Sequence, residues 1–333
     1  MRDFGYGVAT DVEEAVQALT EDGTTVIAGG TELLNWMRLG IADPHQVVDV
    51  SRLELGGIEG DDEELRIGAL ATLNEVAEHP LVAAHAEALA SACRQAASAQ
   101  LRNRATLGGN VLQRTRCPYF RAESPVPWPC NKREPGSGCA SLAGRHERQA
   151  VLGWTDACIA VHPSDPAVAL AALDAQADVG GPIGRRSIAM REFHLSQAEA
   201  AVLGDGLREH RLEPGELILG YRIPVRQAER SAYVKIRERA SYEYAIVSAA
   251  ATVQVVDGTV LDARVALGSV AQRPWRLPSA EAAMVGLPLD RDALLPVVEA
   301  ALADAVPLPQ NAFKTTMARN AAARALLLAG QAR

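Results

Sequence analysis

The sequence lacks long hydrophobic runs: charged residues interrupt every apolar stretch of this 333-residue chain well before the roughly 20 residues that a membrane-spanning helix needs. It also lacks a cationic excess, because the formal net charge is −8, which disfavours general binding to nucleic-acid phosphates. The N-terminal segment has no apolar core after its first arginine and turns acidic at once, unlike a secretory or transit peptide. We therefore expect a folded protein with no membrane span and no nucleic-acid partner, made in the cytoplasm without an export signal of its own.

Two common phosphate-binding motifs are absent as well. No GxGxxG follows a predicted strand and no GxxxxGK[ST] occurs, so Rossmann and P-loop folds lose their main sequence support. Two of the chain's glycine pairs are candidates instead. Gly29 and Gly30 stand between a β-branched run and a helical pattern, a turn that suits a phosphate but is also typical of tight packing alone. Gly108 and Gly109 precede Asn110, whose side chain can hydrogen-bond a ligand.

Hydrophobic periodicity predicts an alternation of helices and strands over the first two-thirds of the chain. The alanine-rich segment 81–103 is expected to be one long helix, and residues 158–161 a strand that leads into a helix after Asp165. The chain turns polar around residues 225–230, where we place a domain boundary. Beyond it the pattern is richer in strands, with a hairpin turn at Asp257-Gly258 and helices from Ala280 onward.

Four of the five cysteines lie in the Arg-, Pro- and Gly-rich segment 117–158. Thiols gathered in this way, in a chain that shows no export signal, indicate a metal centre rather than disulfides. The 12, 8 and 18 intervening residues match neither a zinc ribbon nor a compact ferredoxin motif, so spacing leaves structural zinc and unrelated buried thiols open. Cys93 lies inside the alanine-rich segment, where a small buried thiol is the ordinary case.

Six motifs in order carry a resemblance to a known family: AGGTELL, VDVS, SAQLRNRATLGGN, HPSDPAVALAALDA, EPGELILGYRIP and YVKIRERASYEYAIVSAA. Together they resemble the FAD-binding medium subunit of the xanthine dehydrogenase family of molybdenum hydroxylases. The resemblance implies an α+β fold. Residues 1–226 would form a two-subdomain FAD-binding domain of the vanillyl-alcohol oxidase type, and residues 229–331 a C-terminal α/β domain of the CO dehydrogenase flavoprotein type.

The same resemblance implies which residues bind FAD. The pyrophosphate would be wrapped by Val26, Ile27, Ala28, Gly29, Gly30, Thr31, Glu32 and Leu33, and the flavin would lie along Thr106, Gly108, Gly109 and Asn110. Ser164 and Asp165 would hold ribityl or adenosine hydroxyls, and Ile218 and Lys235 would lie near the isoalloxazine ring. From the residues alone, Asp165 is equally a helix N-cap, and Lys235 is a solvated strand lysine.

The cysteine segment resembles the subset of the family that has an extra 4Fe-4S cluster in a loop, here about 114–158. That subset comprises periplasmic aldehyde oxidoreductase flavin subunits and, with a different loop, the β subunit of 4-hydroxybenzoyl-CoA reductase. The resemblance assigns Cys117, Cys130, Cys139 and Cys158 as ligands, and a cubane cluster takes four thiolates. We expect the loop cations to offset the cluster's negative charge, or else to form a solvated basic loop or a docking patch; they are Arg114, Arg116, Arg121, Lys132 and Arg133.

The predicted function is that of an oxidoreductase subunit that transfers electrons through FAD and the 4Fe-4S cluster. In the implied heterotrimer a large subunit with a molybdenum cofactor oxidises aldehyde to carboxylic acid, and a small subunit with 2Fe-2S clusters passes electrons to this chain. No catalytic residue is assigned here, and co-export with a signal-bearing partner would make the complex periplasmic. The alternatives are a flavin subunit of a 4-hydroxybenzoyl-CoA reductase or xanthine dehydrogenase, a self-sufficient flavin enzyme, and a zinc-stapled scaffold without redox activity.

Overall fold

Three β-sheets organise the chain in the computed structural model, which describes residues 3–331. The strands are β1 (Gly5–Val8), β2 (Thr24–Ile27), β3 (Gln46–Asp49), β4 (Ile58–Gly60), β5 (Glu64–Gly68), β6 (Gln176–Gly181), β7 (Gly184–Ala189), β8 (Leu217–Pro224), β9 (Glu229–Ile236), β10 (Val247–Val256), β11 (Thr259–Gly268) and β12 (Trp275–Arg276). The helices are α1 (Val12–Leu19), α2 (Leu33–Arg38), α3 (Leu73–Glu78), α4 (Pro80–His85), α5 (Glu87–Gln95), α6 (Ala99–Arg102), α7 (Leu107–Val111), α8 (Ala140–Ala143), α9 (Asp165–Ala172), α10 (Met190–Phe193), α11 (Gln197–Val202), α12 (Pro278–Met284), α13 (Arg291–Ala301) and α14 (Phe313–Gln331).

The first sheet is small and parallel, with the order β1-β3-β2. Its strands are followed or preceded by short helices, and α1 begins where the Asp11 carboxylate accepts a hydrogen bond from the Glu14 amide at 2.8 Å. Val48 and Val50 are buried in its core together with Ala15. Strand β2 ends two residues before Gly29, so this sheet holds the first glycine pair at its edge.

The second sheet is antiparallel, with the order β4-β5-β8-β6-β7. One face packs on a helical layer in which α9 is buried at every position, so this helix forms the centre of the largest apolar core. Leu65, Ile67 and Ile223 contribute the sheet side of that core. The cysteine segment leaves this body after α7 and returns to it just before α9.

The third sheet has the order β12-β11-β10-β9 and is covered by α12 and α14, with α13 packed against these two helices. The hairpin predicted at Asp257-Gly258 is present between β10 and β11, with φ of +48° and +77° as a type I′ turn requires. Lys314 of α14 is fully buried and donates hydrogen bonds to the carbonyl oxygens of Arg148, Gln149 and Ser269. This ammonium group joins α14 to the end of the cysteine segment and to β11.

Two predictions of secondary structure are wrong. The alanine-rich segment is not one helix but three, because the chain turns out of helical geometry at Ala86 (φ −146°) and Ala97 (φ +46°). The Ala88 amide at the first break donates to the hydroxyl of Ser231 in β9, a tertiary contact that overrides helix propensity. Residues 158–161 form no strand, since their backbone pairs with loop residues: Ala150 donates to the Ile159 carbonyl at 2.8 Å. Within residues 3–331 no helix is both long and apolar enough to span a membrane.

Candidate functional site

Two adjoining cavities surround the first glycine pair. The turn cavity, of about 200 Å³, is lined by all eight residues from Val26 to Leu33 and by Thr106, Gly108, Gly109 and Ile218. The arginine cavity, of about 380 Å³, is lined by Asn110, Asp165, Arg116 and Arg239, and it shares Thr31, Glu32 and Gly109 with the turn cavity. The structure therefore brings together both glycine pairs and most of the residues that the sequence assigned to FAD.

The glycines allow the main chain itself to form the cavity wall. A Cβ at Gly29 would stand 1.7 Å from the carbonyl oxygen of Arg104, so no side chain fits there. Gly30 has a φ of +74°, a left-handed conformation that favours glycine. Only the Thr106 hydroxyl lies within 4 Å of a Cβ built on Gly109, at 3.0 Å, which leaves the space above Gly109 open. Backbone that lines open volume, as at Gly109, fits a diphosphate or a flat ring system.

The predicted hydroxyl-binding residues, Ser164 and Asp165, each have their own hydrogen-bond partners. Ser164 donates to Oδ1 of Asn110 at 2.7 Å and accepts from the Ala167 amide at 3.1 Å, so Ser164 and not Asp165 is the N-cap of α9. Asp165 accepts hydrogen bonds from Lys235 Nζ at 2.7 Å and from the Tyr233 hydroxyl.

Lys235 is not a solvated lysine, because its side chain is only 1% exposed. It lines neither the turn cavity nor the arginine cavity and lies behind Asp165, where it also donates to the Gln95 carbonyl at 3.0 Å. Lys235 thus positions a cavity residue instead of facing the cavity. Ser164 likewise lines neither cavity and supports Asn110 from behind.

The loop between β9 and β10 supplies a wall of the arginine cavity that the sequence did not predict. Arg239, Tyr242, Glu243 and Tyr244 all line it. Tyr242 has a φ of +53° and donates its amide to the carbonyl of Ala97, which is itself left-handed, so these two strained residues hold each other. The alternating charged and aromatic residues of RERASYEY were the available signal.

The four predicted cysteines meet in a second place, a small cavity that we call the cysteine cavity. It is lined by Cys117, Cys130, Cys139 and Cys158 and by mainly apolar neighbours that include Phe120 and Ile159. All four thiols line this one cavity, although within residues 3–331 no group of three or more His, Cys, Asp or Glu side chains is arranged to hold a metal ion. Cys93 is buried in α5, as predicted, and takes no part.

Local turn chemistry explains how the loop brings two of the thiols together. Cys130 and Cys139 face each other in an isolated antiparallel bridge. The Asn131 side chain closes the turn between them by accepting hydrogen bonds from the amides of Gly136 at 3.1 Å and Gly138 at 2.8 Å. Both glycines have positive φ, of +88° and +106°, which other residues rarely adopt.

Burial shifts the pKa values of ionisable groups in and around the cysteine cavity. It raises the pKa of Cys117, and it raises the pKa of Cys158 to about 11 although Lys132 acts in the opposite direction. Lys132 is paired with Glu209 at 2.7 Å, and Arg114 pairs with the same carboxylate at 3.1 Å. Burial alone would raise the pKa of Glu209, but these two cations outweigh it and lower the pKa to about 2.

The loop cations are therefore engaged inside the protein. The Lys132 side chain is 2% exposed, and Arg133 donates to the carbonyls of Phe120 and Ala122 at 2.8 and 2.7 Å. Arg116 and Arg121 both pair with Glu32. These side chains do not form a freely solvated basic loop, because carboxylates or backbone carbonyls of the protein already accept their hydrogen bonds. A docking patch for an acidic partner stays a prediction.

Comparisons with known proteins agree over the whole chain. Residues 2–226 match the family described as the FAD binding domain in molybdopterin dehydrogenase, and residues 232–329 match the CO dehydrogenase flavoprotein C-terminal domain. The chain is 42% identical to the aldehyde oxidoreductase FAD-binding subunit PaoB of Escherichia coli (strain K12), with 98% of each chain covered. It is 27% identical to the carbon monoxide dehydrogenase medium chain of Hydrogenophaga pseudoflava, with 97% of this chain and 96% of that one covered.

A solved structure shares the fold. The structure of carbon monoxide dehydrogenase from Hydrogenophaga pseudoflava, in a form that lacks the Mo-pyranopterin moiety of the molybdenum cofactor, superposes with a TM-score of 0.75 at 26% identity. The superposition covers 99% of this chain and 98% of that one. These matches confirm the predicted α+β fold, with its FAD-binding part and its CO dehydrogenase flavoprotein part. The chain belongs to the family of FAD-binding medium subunits of molybdenum hydroxylases.

Proposed function

We propose that this chain is the FAD and 4Fe-4S electron-transfer subunit of a molybdenum-containing aldehyde dehydrogenase. One observation supports the proposal: each of two residue sets comes together in the fold. The glycine-turn residues line the turn and arginine cavities, and the four cysteines line the cysteine cavity. FAD exchanges electrons singly or in pairs, so a subunit that binds it suits the junction between iron-sulfur centres and an external acceptor.

The protein's own residues have defined tasks in this proposal. The main chain around Gly29 and Gly30, which lines the turn cavity, holds the diphosphate. Asp165 is a cavity residue that accepts hydrogen bonds from ligand hydroxyls. Lys235 and Tyr233 keep this carboxylate fixed in one orientation through their hydrogen bonds.

The proposed 4Fe-4S cluster takes Cys117, Cys130, Cys139 and Cys158 as its ligands. A cubane has a thiolate at each of four irons and is larger than a single ion, so it suits thiols spread around a cavity. The mainly apolar walls agree with a cluster that is shielded from water. Because burial raises the pKa of Cys117 and Cys158, cluster binding must displace protons from these thiols.

The proposed substrate class and partners rest on the relatives. PaoB is named as the FAD-binding subunit of an aldehyde oxidoreductase, and this chain matches it at 42% identity, against 26% for the putative xanthine dehydrogenase FAD-binding subunit XdhB of the same organism. Aldehyde oxidation would take place at the molybdenum centre of a large partner subunit. A small partner with 2Fe-2S clusters would complete the heterotrimer, and export of the assembled complex would make it periplasmic.

Cofactor analysis of the full chain, purified without oxygen, tests the proposal. We expect about one FAD and about four irons per chain, with a reducible cluster signal in electron paramagnetic resonance. Stoichiometric zinc without iron would contradict the cluster. The second measurement is bleaching of the flavin by an aldehyde, which should require the co-purified large and small subunits. Aldehyde turnover by the chain alone would contradict the subunit role.

A further inference from the structure

Glu32 connects the two proposed cofactor sites. It is the residue before α2, and it lines both the turn cavity and the arginine cavity. Its carboxylate accepts hydrogen bonds from Arg116 and from Arg121, the latter at 2.9 Å from Nη2 to Oε2. Both arginines belong to the loop of residues 114–158, which we call the cysteine loop, and they lie on either side of Cys117 in the sequence. One carboxylate on the glycine turn is thus held by two cations from the loop of the other site.

These ion pairs are shielded from water, so they differ from the weak pairs of an open surface. The side chain of Glu32 is 16% exposed, that of Arg116 25% and that of Arg121 13%. A partly buried carboxylate that lost one of its cations would carry a desolvation penalty with less compensation. The geometry of the loop therefore matters energetically to the glycine turn.

The two arginines are also fixed firmly to the loop. Arg121 donates to the carbonyls of Thr115 and Arg114, each at 2.9 Å, and its own amide donates to the Cys117 carbonyl at 3.0 Å. The guanidinium of Arg116 lies over the Tyr244 ring, 4.5 Å from its centre. A displacement of Cys117 would consequently move Arg121, and Arg116 is covalently bonded to Cys117. These contacts connect the backbone around Cys117 with the two guanidinium groups that hold Glu32.

The charges of these groups determine whether the connection strengthens or weakens FAD binding. An unpaired carboxylate at Glu32 would repel a diphosphate bound at the turn, whereas Glu32 with both arginines forms a group of net positive charge. We propose that the pairs of Glu32 with Arg116 and Arg121 couple the two sites, so that a filled cysteine cavity tightens FAD binding at the glycine turn. This inference rests on the proposed function, because it needs both cofactors in their assigned cavities.

The test is a cycle of four full-length proteins: wild type, Cys130→Ser, Glu32→Gln and the double variant. Each is stripped of FAD, its iron is counted, and its FAD dissociation constant is measured by flavin fluorescence quenching. Cys130→Ser should lose iron and bind FAD about tenfold more weakly than wild type, within the usual range of coupling between sites. In the Glu32→Gln background the same cysteine change should alter FAD binding by less than about twofold. Cys93→Ala, outside the cysteine cavity, is the matched control and should keep both iron and FAD affinity.

Equal FAD affinity in iron-loaded wild type and iron-free Cys130→Ser would overturn the coupling while leaving the cluster assignment intact. A tenfold effect that persists with Glu32→Gln would overturn the role of Glu32. If wild type contains no iron, the proposed cluster fails, which is a different result. Should Cys130→Ser misfold by circular dichroism, wild type from which iron has been removed by a chelator takes its place, with the same expected weakening.

Discussion

The ammonium of Lys235 lies 2.7 Å from Oδ2 of Asp165, with the two side chains 1% and 6% exposed. Lys235 belongs to β9 of the third sheet, and Asp165 begins the central helix α9 of the FAD-binding part. The pair therefore joins the two parts of the chain directly behind the arginine cavity. Its position makes it both a structural contact and the support of a cavity residue.

Replacing Lys235 with methionine should destabilise the protein, because it leaves the Asp165 carboxylate buried without its cation. We expect the free energy of unfolding to fall by roughly 3 to 5 kcal/mol, measured by chemical denaturation. The double change Lys235→Met with Asp165→Asn removes both charges and should recover part of the loss. A double variant as unstable as the single one would show that the ion pair is not the cause.

Gly29→Ala should damage the glycine turn, since its Cβ would stand 1.7 Å from the Arg104 carbonyl oxygen. We expect the forced backbone shift to lower the free energy of unfolding by roughly 1 to 3 kcal/mol and to abolish stoichiometric FAD in the purified protein. Gly206→Ala is the control, because nothing lies within 4 Å of its Cβ position. Normal flavin content in Gly29→Ala would remove this turn from the proposed FAD site.

Cys139→Ser should remove iron from the protein and leave FAD bound, although more weakly, because Cys139 lines the cysteine cavity and lies outside the turn and arginine cavities. Iron and flavin are measured on the same anaerobic sample. Cys93→Ala should retain the wild-type iron content, since its sulfur is buried in α5 away from that cavity. Full iron content in Cys139→Ser would exclude it from the ligand set.

Glu209 should make the stability of the cysteine loop dependent on pH. Its folded pKa is lowered to about 2 from an ordinary value of 4.5, so its contribution is complete above about pH 4.5 and is lost as the pH falls toward 2. The difference in free energy of unfolding between wild type and Glu209→Gln should reach about 3 kcal/mol at pH 5.5 and shrink at pH 3. Glu192→Gln, on an exposed side chain, should show no such dependence. A pH-independent difference for Glu209→Gln would mean that its pairs with Lys132 and Arg114 do not stabilise the fold.

The glycine turn and the cysteine set were predictable because each depends on local chemistry. A β-branched run that ends at Gly29-Gly30 specifies a strand and a turn wherever the rest of the chain lies. The cysteines could be counted, although only the fold shows that Cys117 and Cys158, far apart in sequence, line one cavity. The cysteines lie in an irregular loop and match no known spacing of metal ligands, so the sequence alone did not identify the metal.

Other features depend on contacts between distant segments and could not be predicted. Nothing local marks Ala97 as left-handed, since alanine is the best helix former and its conformation is supported by the amide of Tyr242. The burial of Lys235 follows from the docking of β9 against α5 and from its ion pair with Asp165 of α9. On average, alanine is helical and lysine is exposed to solvent. Tertiary contacts instead make Ala97 left-handed and bury Lys235.

The hydrogen bond between Ser164 and Asn110 affects how freely the sequence between these residues can diverge in evolution. Because the two residues meet at 2.7 Å, the chain leaves and re-enters the FAD-binding part at nearly the same point, and the cysteine segment between them is a loop closed at its base. The cost of closing such a loop rises only slowly with its length. Its length can thus diverge between the loop residues that contact the rest of the chain, such as Arg116, Arg121 and Arg148, while the strands and helices on either side keep their course.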